Sequence, residues 1–229
     1  MNDEKYWHAY WTTNPKLDDD RHQKKIGRTA FGREISPLNW SKTCHRILEQ
    51  LTPDDTSHLL DLCCGNGLLS EFLNPFVNKI TAVDYSKKLL DNFVINDPKI
   101  TKVLCNVLDF DFSIYRADRI LMYFSAQHFS ETSMLHILKK ASANMTTGAI
   151  FLIGDIPDID RKWNFYSTTE FRHFYFSGLE KGTPSIGTWY QKAYFQFAAE
   201  YCGFSSVQIQ DQPNYMINSK YRFDVILQK

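Results

Sequence analysis

The stretch 58–70, HLLDLCCGNGLLS, constrains this chain more than any other. An apolar pair, Leu59 and Leu60, leads into Asp61. Cys63 and Cys64 then precede Gly65-Asn66-Gly67, and an apolar helix-like run follows. The pattern predicts a buried strand, a tight turn with its backbone laid open, and a helix. Open α/β sheets build ligand crevices in this way, at the carboxyl end of a strand. Glycine at 65 and 67 lets the main chain approach a ligand closely, because no Cβ stands in the way. The helix start beyond offers N–H donors that have no intrahelical partner.

The rest of the chain repeats the same alternation. Ser36-Pro37 opens a helix, with serine as N-cap and proline at the first helical position. Trp40, Cys44, Ile47, Leu48 and Leu51 follow at helical spacing. Strands are predicted at 58–63, 79–83 (ending on Asp84), 100–105, 118–124 and 149–153. Helices are predicted at 67–73 and 87–95, and a third is capped by Ser130 and carries Met134, Ile137, Leu138 and Ala141 on one face. Such alternation implies a parallel, doubly wound sheet. After a helix at 187–201 come two strands, 206–210 and 221–228. Their connection is too short for a crossover helix, so they are expected as antiparallel neighbours.

Two segments depart from that rhythm. Residues 156–186 are polar and aromatic, and they follow a strand's carboxyl end. An insertion there is expected on the substrate side, over the crevice. Residues 1–35 carry Tyr6, Trp7, Tyr10 and Trp11 at helix-like spacing, then an acidic and a basic run. They read either as an arm packed on the core or as a lid over a pocket. The division is therefore an arm or lid at 1–35 and a main domain at 36–229.

The length of 229 residues suits one large domain. Lysine plus arginine and aspartate plus glutamate both number 26, so the formal net charge is zero. That balance argues against non-specific nucleic-acid binding, which needs a basic face. No apolar run approaches a membrane span, and the start has no apolar secretory core. The five cysteines are scattered, without metal-ligand spacing. The expectation is a cytoplasmic protein with reduced thiols and no metal site, Cys63 and Cys64 being small buried fillers rather than redox groups.

Asp61, the Gly65-x-Gly67 turn and Asp84 fit two kinds of ligand site. A nicotinamide dinucleotide site has a glycine-rich turn, a helix N-terminus and a ribose-binding acid in these places. Three features point elsewhere. Ser70 stands where the dinucleotide fingerprint has its third glycine. Five strands followed by an antiparallel pair are not the usual dinucleotide layout. Asp61 precedes the glycines, where a carboxylate would repel a pyrophosphate and favour a cation.

The segments LLDLCCGNG at 59–67, ITAVDYS at 80–86, CNVLDF at 105–110 and ILMYFSAQHF at 120–129, with the closing strand pair, resemble a class I S-adenosylmethionine-dependent methyltransferase of the small-molecule type. The resemblance covers roughly 36–229. It implies a Rossmann-like α/β fold with helices on both faces and seven strands, the last antiparallel between the fifth and sixth. It implies S-adenosylmethionine as cofactor, with Asp61 near its methionine end and Gly65 and Gly67 wrapping that moiety. Asp84 would bind both ribose hydroxyls, and Tyr85 would lie against the adenine. Asn106, beside Val107, takes the place where the family often has aspartate and would meet the adenine edge. The backbone at Tyr123 and Phe124 would meet the ammonium. Cys63 departs from the pattern, which usually has glycine there. Residues before the domain often cover the cofactor in this family, which makes Arg28 a candidate for the methionine carboxylate, with Gln23 and Tyr10 as weaker ones.

Methyl transfer from a sulfonium is an in-line displacement, so positioning carries much of the rate. A base is needed only for a protonated nucleophile. The candidate catalytic residues are His128, which follows the fourth strand at the crevice, Asp155, which ends the fifth, and His173, in the aromatic insertion; His22 is a further histidine. The expected partner is a small polar metabolite, O-methylated, with a sugar or glycan precursor as one class. Two other readings stay open: a dinucleotide-binding oxidoreductase, and a non-catalytic relative that keeps the fold.

Overall fold

A computed structural model describes residues 3–13, 22–26, 29–30, 33–183 and 186–229. Helix α1 (Asp3–Thr13), a single turn at His22–Lys25 and a hairpin of Thr29–Ala30 with Arg33–Glu34 precede the main domain. That domain begins with α2 (Pro37–Leu51), where Ser36 Oγ accepts the Asn39 N–H and Pro37 stands in the first turn. Then come β1 (His58–Leu62), α3 (Leu68–Leu73), β2 (Lys79–Asp84), α4 (Lys87–Asp91), β3 (Ile100–Leu104), β4 (Arg119–Tyr123), α5 (Glu131–Asn144) and β5 (Ile150–Pro157). The chain closes with α6 (Lys162–Phe165), α7 (Thr169–Lys181), α8 (Lys192–Tyr201), β6 (Ser206–Asp211) and β7 (Arg222–Gln228).

The seven strands form one sheet in the order β3-β2-β1-β4-β5-β7-β6. The pairs from β3 through to β5 are parallel, while β7 runs antiparallel to both β5 and β6. The expected sheet, with its inserted antiparallel strand, is therefore present. Successive side chains on a strand face opposite ways, and two buried clusters result. Leu59, Ile80, Ala82, Leu121 and Leu152 pack with Cys44, Ile47 and Leu51 of α2 and with Leu69 and Leu73 of α3. On the other face Leu60, Leu62, Met122, Ile153 and Val225 pack with Ile137 and Leu138 of α5 and Phe195 of α8. The strand order reverses between β1 and β4, so their carboxyl ends open a crevice there.

Three boundaries differ from the sequence reading, each for a tertiary reason. Helix α4 stops at Asp91 rather than near 95. The chain leaves the helix so that the Phe93 ring covers Gly67, and Val94 N–H donates to Asn66 O at 2.9 Å. Strand β5 runs on to Pro157, past an irregularity between Ile153 and Ile156 where Asp155 takes φ +59°. Helix α8 starts at Lys192 rather than 187. Tyr190 is extended instead, donating its N–H to Pro157 O and accepting from Ile159 N–H. The insertion thus begins after β5, and it is helical.

Candidate active site

The first loop is built on positive backbone angles: Cys63 at φ +56°, Gly65 at +61° and Gly67 at +79°. A side chain on Gly67 would place its Cβ 2.3 Å from the Phe93 ring, and one on Gly65 would meet Ile26 at 3.1 Å. Glycine is required at 67 by both its angle and its neighbour. At the end of β2, the Asp84 carboxylate is buried and accepts Gly65 N–H at 2.9 Å and Ser86 N–H at 2.8 Å, one on each oxygen. Burial pushes its pKa up to about 6 against the pull of those two N–H groups and of the Tyr85 N–H. Each oxygen retains a lone pair that a diol could meet.

A cavity of about 60 Å³ lies over this loop, lined by Cys63, Gly65, Asp84, Tyr85 and the turn after β4. Burial raises the pKa of the Cys63 thiol, and Asp84 adds to the effect, so the sulfur is a protonated filler. Ser125 Oγ is buried on the same wall, beside the Cys63 thiol. A cavity wall without a side chain at Gly65 and an acceptor pair for a diol at Asp84 together fit a nucleoside carrying a polar tail. A second cavity, of about 200 Å³, adjoins it and shares Trp11, Ile26, Phe124 and His128 with it. Its further walls include Trp7, Tyr10, Gln127, Asp155, Asn218 and Arg222.

Residues 59–148 match the family model described as a methyltransferase domain. The strand order and the crevice at the β1–β4 reversal belong to the same architecture. This part of the chain is a methyltransferase domain. Solved structures agree in fold. Magnesium protoporphyrin IX methyltransferase from Synechocystis PCC 6803, with bound S-adenosylhomocysteine, superposes with a TM-score of 0.66 at 11% identity, over 99% of this chain and 100% of that one. The N-methyltransferase NodS from Bradyrhizobium japonicum WM9, also with S-adenosylhomocysteine, gives 0.61 at 13% identity over 100% and 99%. A protein from Nostoc punctiforme PCC 73102, provisionally assigned as an O-methyltransferase, gives 0.64 at 19% identity over 100% and 67%. No curated protein sequence matches the chain significantly.

The fold brings some of the expected residues together and leaves others apart. Cys63, Gly65, Asp84, Tyr85, Tyr123, Phe124 and His128 line the first cavity. Phe124 holds φ +68°, and its N–H donates to Gly154 O. Asp61 is buried on the α3 side of β1, where it accepts the Ser70 hydroxyl at 2.6 Å. Asn106 Oδ1 caps its own turn by accepting Leu108 N–H, and Val107 is a core residue. Arg28 lies outside the described residues. Gln23 is tied to the backbone of Ile35, accepting its N–H at 2.8 Å. His173 is exposed on α7 and lines neither cavity. The aromatics that suggested a site there pack α6 against α7 instead: Phe165 stacks on Phe171 at 5.6 Å, and Tyr166 meets Tyr175 at 4.7 Å.

Helix α1 lies across the crevice. Tyr85 Oη donates to Trp7 O, Ser86 Oγ donates to Trp11 O, and Ser130 N–H donates to a Glu4 carboxylate oxygen. The Trp11 indole N–H donates to His128 Nε2 at 3.2 Å. Burial, with Arg222 nearby, pushes the His128 pKa down to about 3, so the ring is neutral. In this arrangement Nε2 is engaged by Trp11 and Nδ1 carries the hydrogen.

The sequence reading missed the floor of the second cavity. Asp155 pairs with Arg222 at 3.1 Å and accepts from the Gln212 and Asn218 amides. Arg222 Nη1 also donates to Gln127 Oε1. One signal was available. Arg222 and Asp224 stand two apart in a strand whose other residues are Phe223, Val225, Ile226, Leu227 and the closing Gln228. Charges at period two within a core strand face one interior side together. Among the described residues no group of His, Cys, Asp or Glu could hold a metal ion, and no helix is long and apolar enough to cross a membrane.

Proposed function

We propose that the enzyme O-methylates a small polar metabolite in the cytoplasm, with a sugar or glycan precursor as the substrate class read from the sequence. The observation that carries this reading is the second cavity, which meets the cofactor crevice at Phe124 and His128. Its size of about 200 Å³ suits one ring and its substituents, and its walls mix indole and phenyl faces with amides and a buried ion pair. The five free thiols fit a reducing compartment.

Bound S-adenosylmethionine supplies a methyl group on a sulfonium, an already activated donor. In this proposal Asp84 holds the ribose hydroxyls, Tyr85 flanks the base, and the 63–67 loop wraps the methionine end. The arm of residues 1–35 serves as lid, with Trp11 forming the wall between donor and acceptor. Exclusion of water and alignment of the acceptor then supply the rate. For a hydroxyl acceptor, Asp155 is the one candidate carboxylate that lines the second cavity, and it would take the proton. Burial raises its pKa while Arg222 beside it opposes that shift.

The test is transfer from methyl-labelled S-adenosylmethionine to separate pools of polar metabolites, total protein and nucleic acid. Label is expected in the metabolite pool, on oxygen. Label confined to protein or nucleic acid, or found on nitrogen, would refute the proposal.

A further inference from the structure

Gln127 stands in the single 3₁₀ turn after β4, Ala126–His128, and lines the second cavity. Its side chain joins two parts of the site. The amide Nε2 donates to Phe124 O at 2.8 Å, and Phe124 walls both cavities. That bond orients the amide, so Oε1 is the end that meets Arg222, whose Nη1 donates to it at 3.0 Å. The main chain of the turn is held as well. Thr188 N–H donates to Gln127 O at 2.9 Å, and the Tyr190 hydroxyl donates to Phe129 O at 2.6 Å. A Cβ on Gly187 would stand 2.2 Å from Gln127 O, so only glycine there lets the end of the insertion close on this turn.

Arg222 Nη1 carries two hydrogens. Two oxygens accept from it: Gln127 Oε1 and the main-chain O of Asp155. Asp155 Oδ2 lies 3.1 Å from the same nitrogen and pairs with its charge. Among the described residues, the hydrogen bonds that reach the Asp155 carboxylate come from the Gln212 and Asn218 amides, at 3.3 to 3.5 Å. The carboxylate thus has the cation beside it without the cation's Nη1 hydrogens. A hydrogen delivered to the carboxylate would favour the ionised form and occupy a lone pair that a proton could otherwise take. We infer that Gln127 is a positioning residue: by taking an Arg222 hydrogen, it keeps a lone pair of Asp155 open to the proton of the methyl acceptor. This rests on the proposal that Asp155 takes that proton. Through Phe124 O the same amide ties the acceptor side to the wall of the cofactor crevice.

The test reads Asp155 directly and needs no acceptor. Enzyme carrying ¹³C at its aspartate carboxyls is loaded with S-adenosylhomocysteine and titrated by NMR. The Asp155 signal is the one missing from Asp155→Asn. Gln127→Leu keeps the volume and removes the acceptor, so the freed hydrogen turns to Oδ2 and the Asp155 midpoint should fall by about one pH unit. Gln127→Glu keeps an acceptor and adds an anion that competes for Arg222, so the midpoint should rise by about as much. The other groups facing Asp155 are the same in all variants. They are Asp224 of β7, paired with Arg46 of α2, the Tyr123 and Tyr221 hydroxyls, and the neutral His128 ring. Looser packing would hydrate the carboxylate and lower both midpoints, so opposite movements are diagnostic. Turnover gives a second reading. At saturating methyl-labelled S-adenosylmethionine and a pH above both midpoints, transfer to the polar-metabolite pool of a cell extract should fall about tenfold in Gln127→Leu. Should Gln127→Leu fail to fold, Gln127→Met removes the same acceptor and takes its place. Midpoints that do not move, or that move the same way in both variants, overturn the inference. Absence of label from metabolites with the wild-type enzyme strikes the proposed function instead, and the titration still decides the role of Gln127.

Discussion

Asp84 is the residue at which pH and folding meet, and in the proposed site cofactor binding meets them there too. Its carboxylate is buried and accepts backbone N–H groups, and burial pushes its pKa up to about 6. A carboxyl whose folded pKa exceeds its unfolded value opposes folding once both forms are ionised. Its contribution to the stability of the free enzyme therefore improves as pH falls from about 6 towards 4. Ribose hydroxyls donate best to the ionised form, so cofactor binding should move the other way. Below about pH 6, the dissociation constant for S-adenosylhomocysteine should rise about tenfold per pH unit, since one proton must leave before the ligand binds. Asp84→Asn should bind at least about tenfold more weakly at pH 8 and lose that slope. Calorimetry across pH 5–8 checks both; a slope that persists in Asp84→Asn assigns it to another group. Gly67 is equally exacting. Gly67→Ala would set a Cβ 2.3 Å from the Phe93 ring at φ +79°. The strain should exceed about 1 kcal/mol in urea unfolding.

Helix α1 shows what an element can and cannot reveal in sequence. Its aromatic spacing is plain in Tyr6, Trp7, Tyr10 and Trp11, but not the surface it covers. Trp11 does two jobs: its carbonyl accepts from Ser86 Oγ, and its indole fixes the His128 tautomer and forms a wall of both cavities. Trp11→Ala should therefore raise the dissociation constant for S-adenosylhomocysteine about tenfold and speed its release. Stopped-flow displacement measures this, and an unchanged release rate would remove the arm from the lid role. The strands were legible because their apolar residues are buried between helices on both faces, which writes β-branched runs into the sequence. The 58–70 loop was legible because its glycines and acids sit at fixed offsets. The early end of α4 and the irregularity in β5 were not. The first depends on Phe93 finding Gly67, and the second on Asp155 N–H finding Asp224 at 2.9 Å, both far apart in sequence. The tautomer of His128 was hidden for the same reason, since it is set by Trp11, 117 residues away.

At the scale of the whole molecule, Asp224 joins parts of the chain that share no local sequence. It is fully buried on β7. It accepts from Tyr123 Oη of β4 at 3.0 Å, from Asp155 N–H of β5 at 2.9 Å, and from Gln212 Nε2 in the β6–β7 loop at 2.9 Å. Arg46 of α2 pairs with its other oxygen at 3.4 Å. One carboxylate thus links a helix, two neighbouring strands and the loop that carries Asn218 to the second cavity. Removing it leaves Arg46 without its ionic partner and strips the buried Tyr123 hydroxyl and Asp155 N–H of their acceptor. Breaking a buried pair in this way costs about 3–5 kcal/mol. Asp224→Ala should fall in that range by urea unfolding. Asp224→Asn keeps an acceptor for the backbone and tyrosine donors, and should lose about half as much. The functional consequence follows from geometry. The φ +59° backbone at Asp155 is held by this contact, and the Asp155–Arg222 pair it presents lines the second cavity, the proposed acceptor side, and not the first. Asp224→Asn should therefore reduce methyl transfer at saturating S-adenosylmethionine several-fold while its affinity for S-adenosylhomocysteine stays within about twofold of the wild type. Equal losses in the two measurements would mean that the network supports the fold alone and does not shape the acceptor cavity.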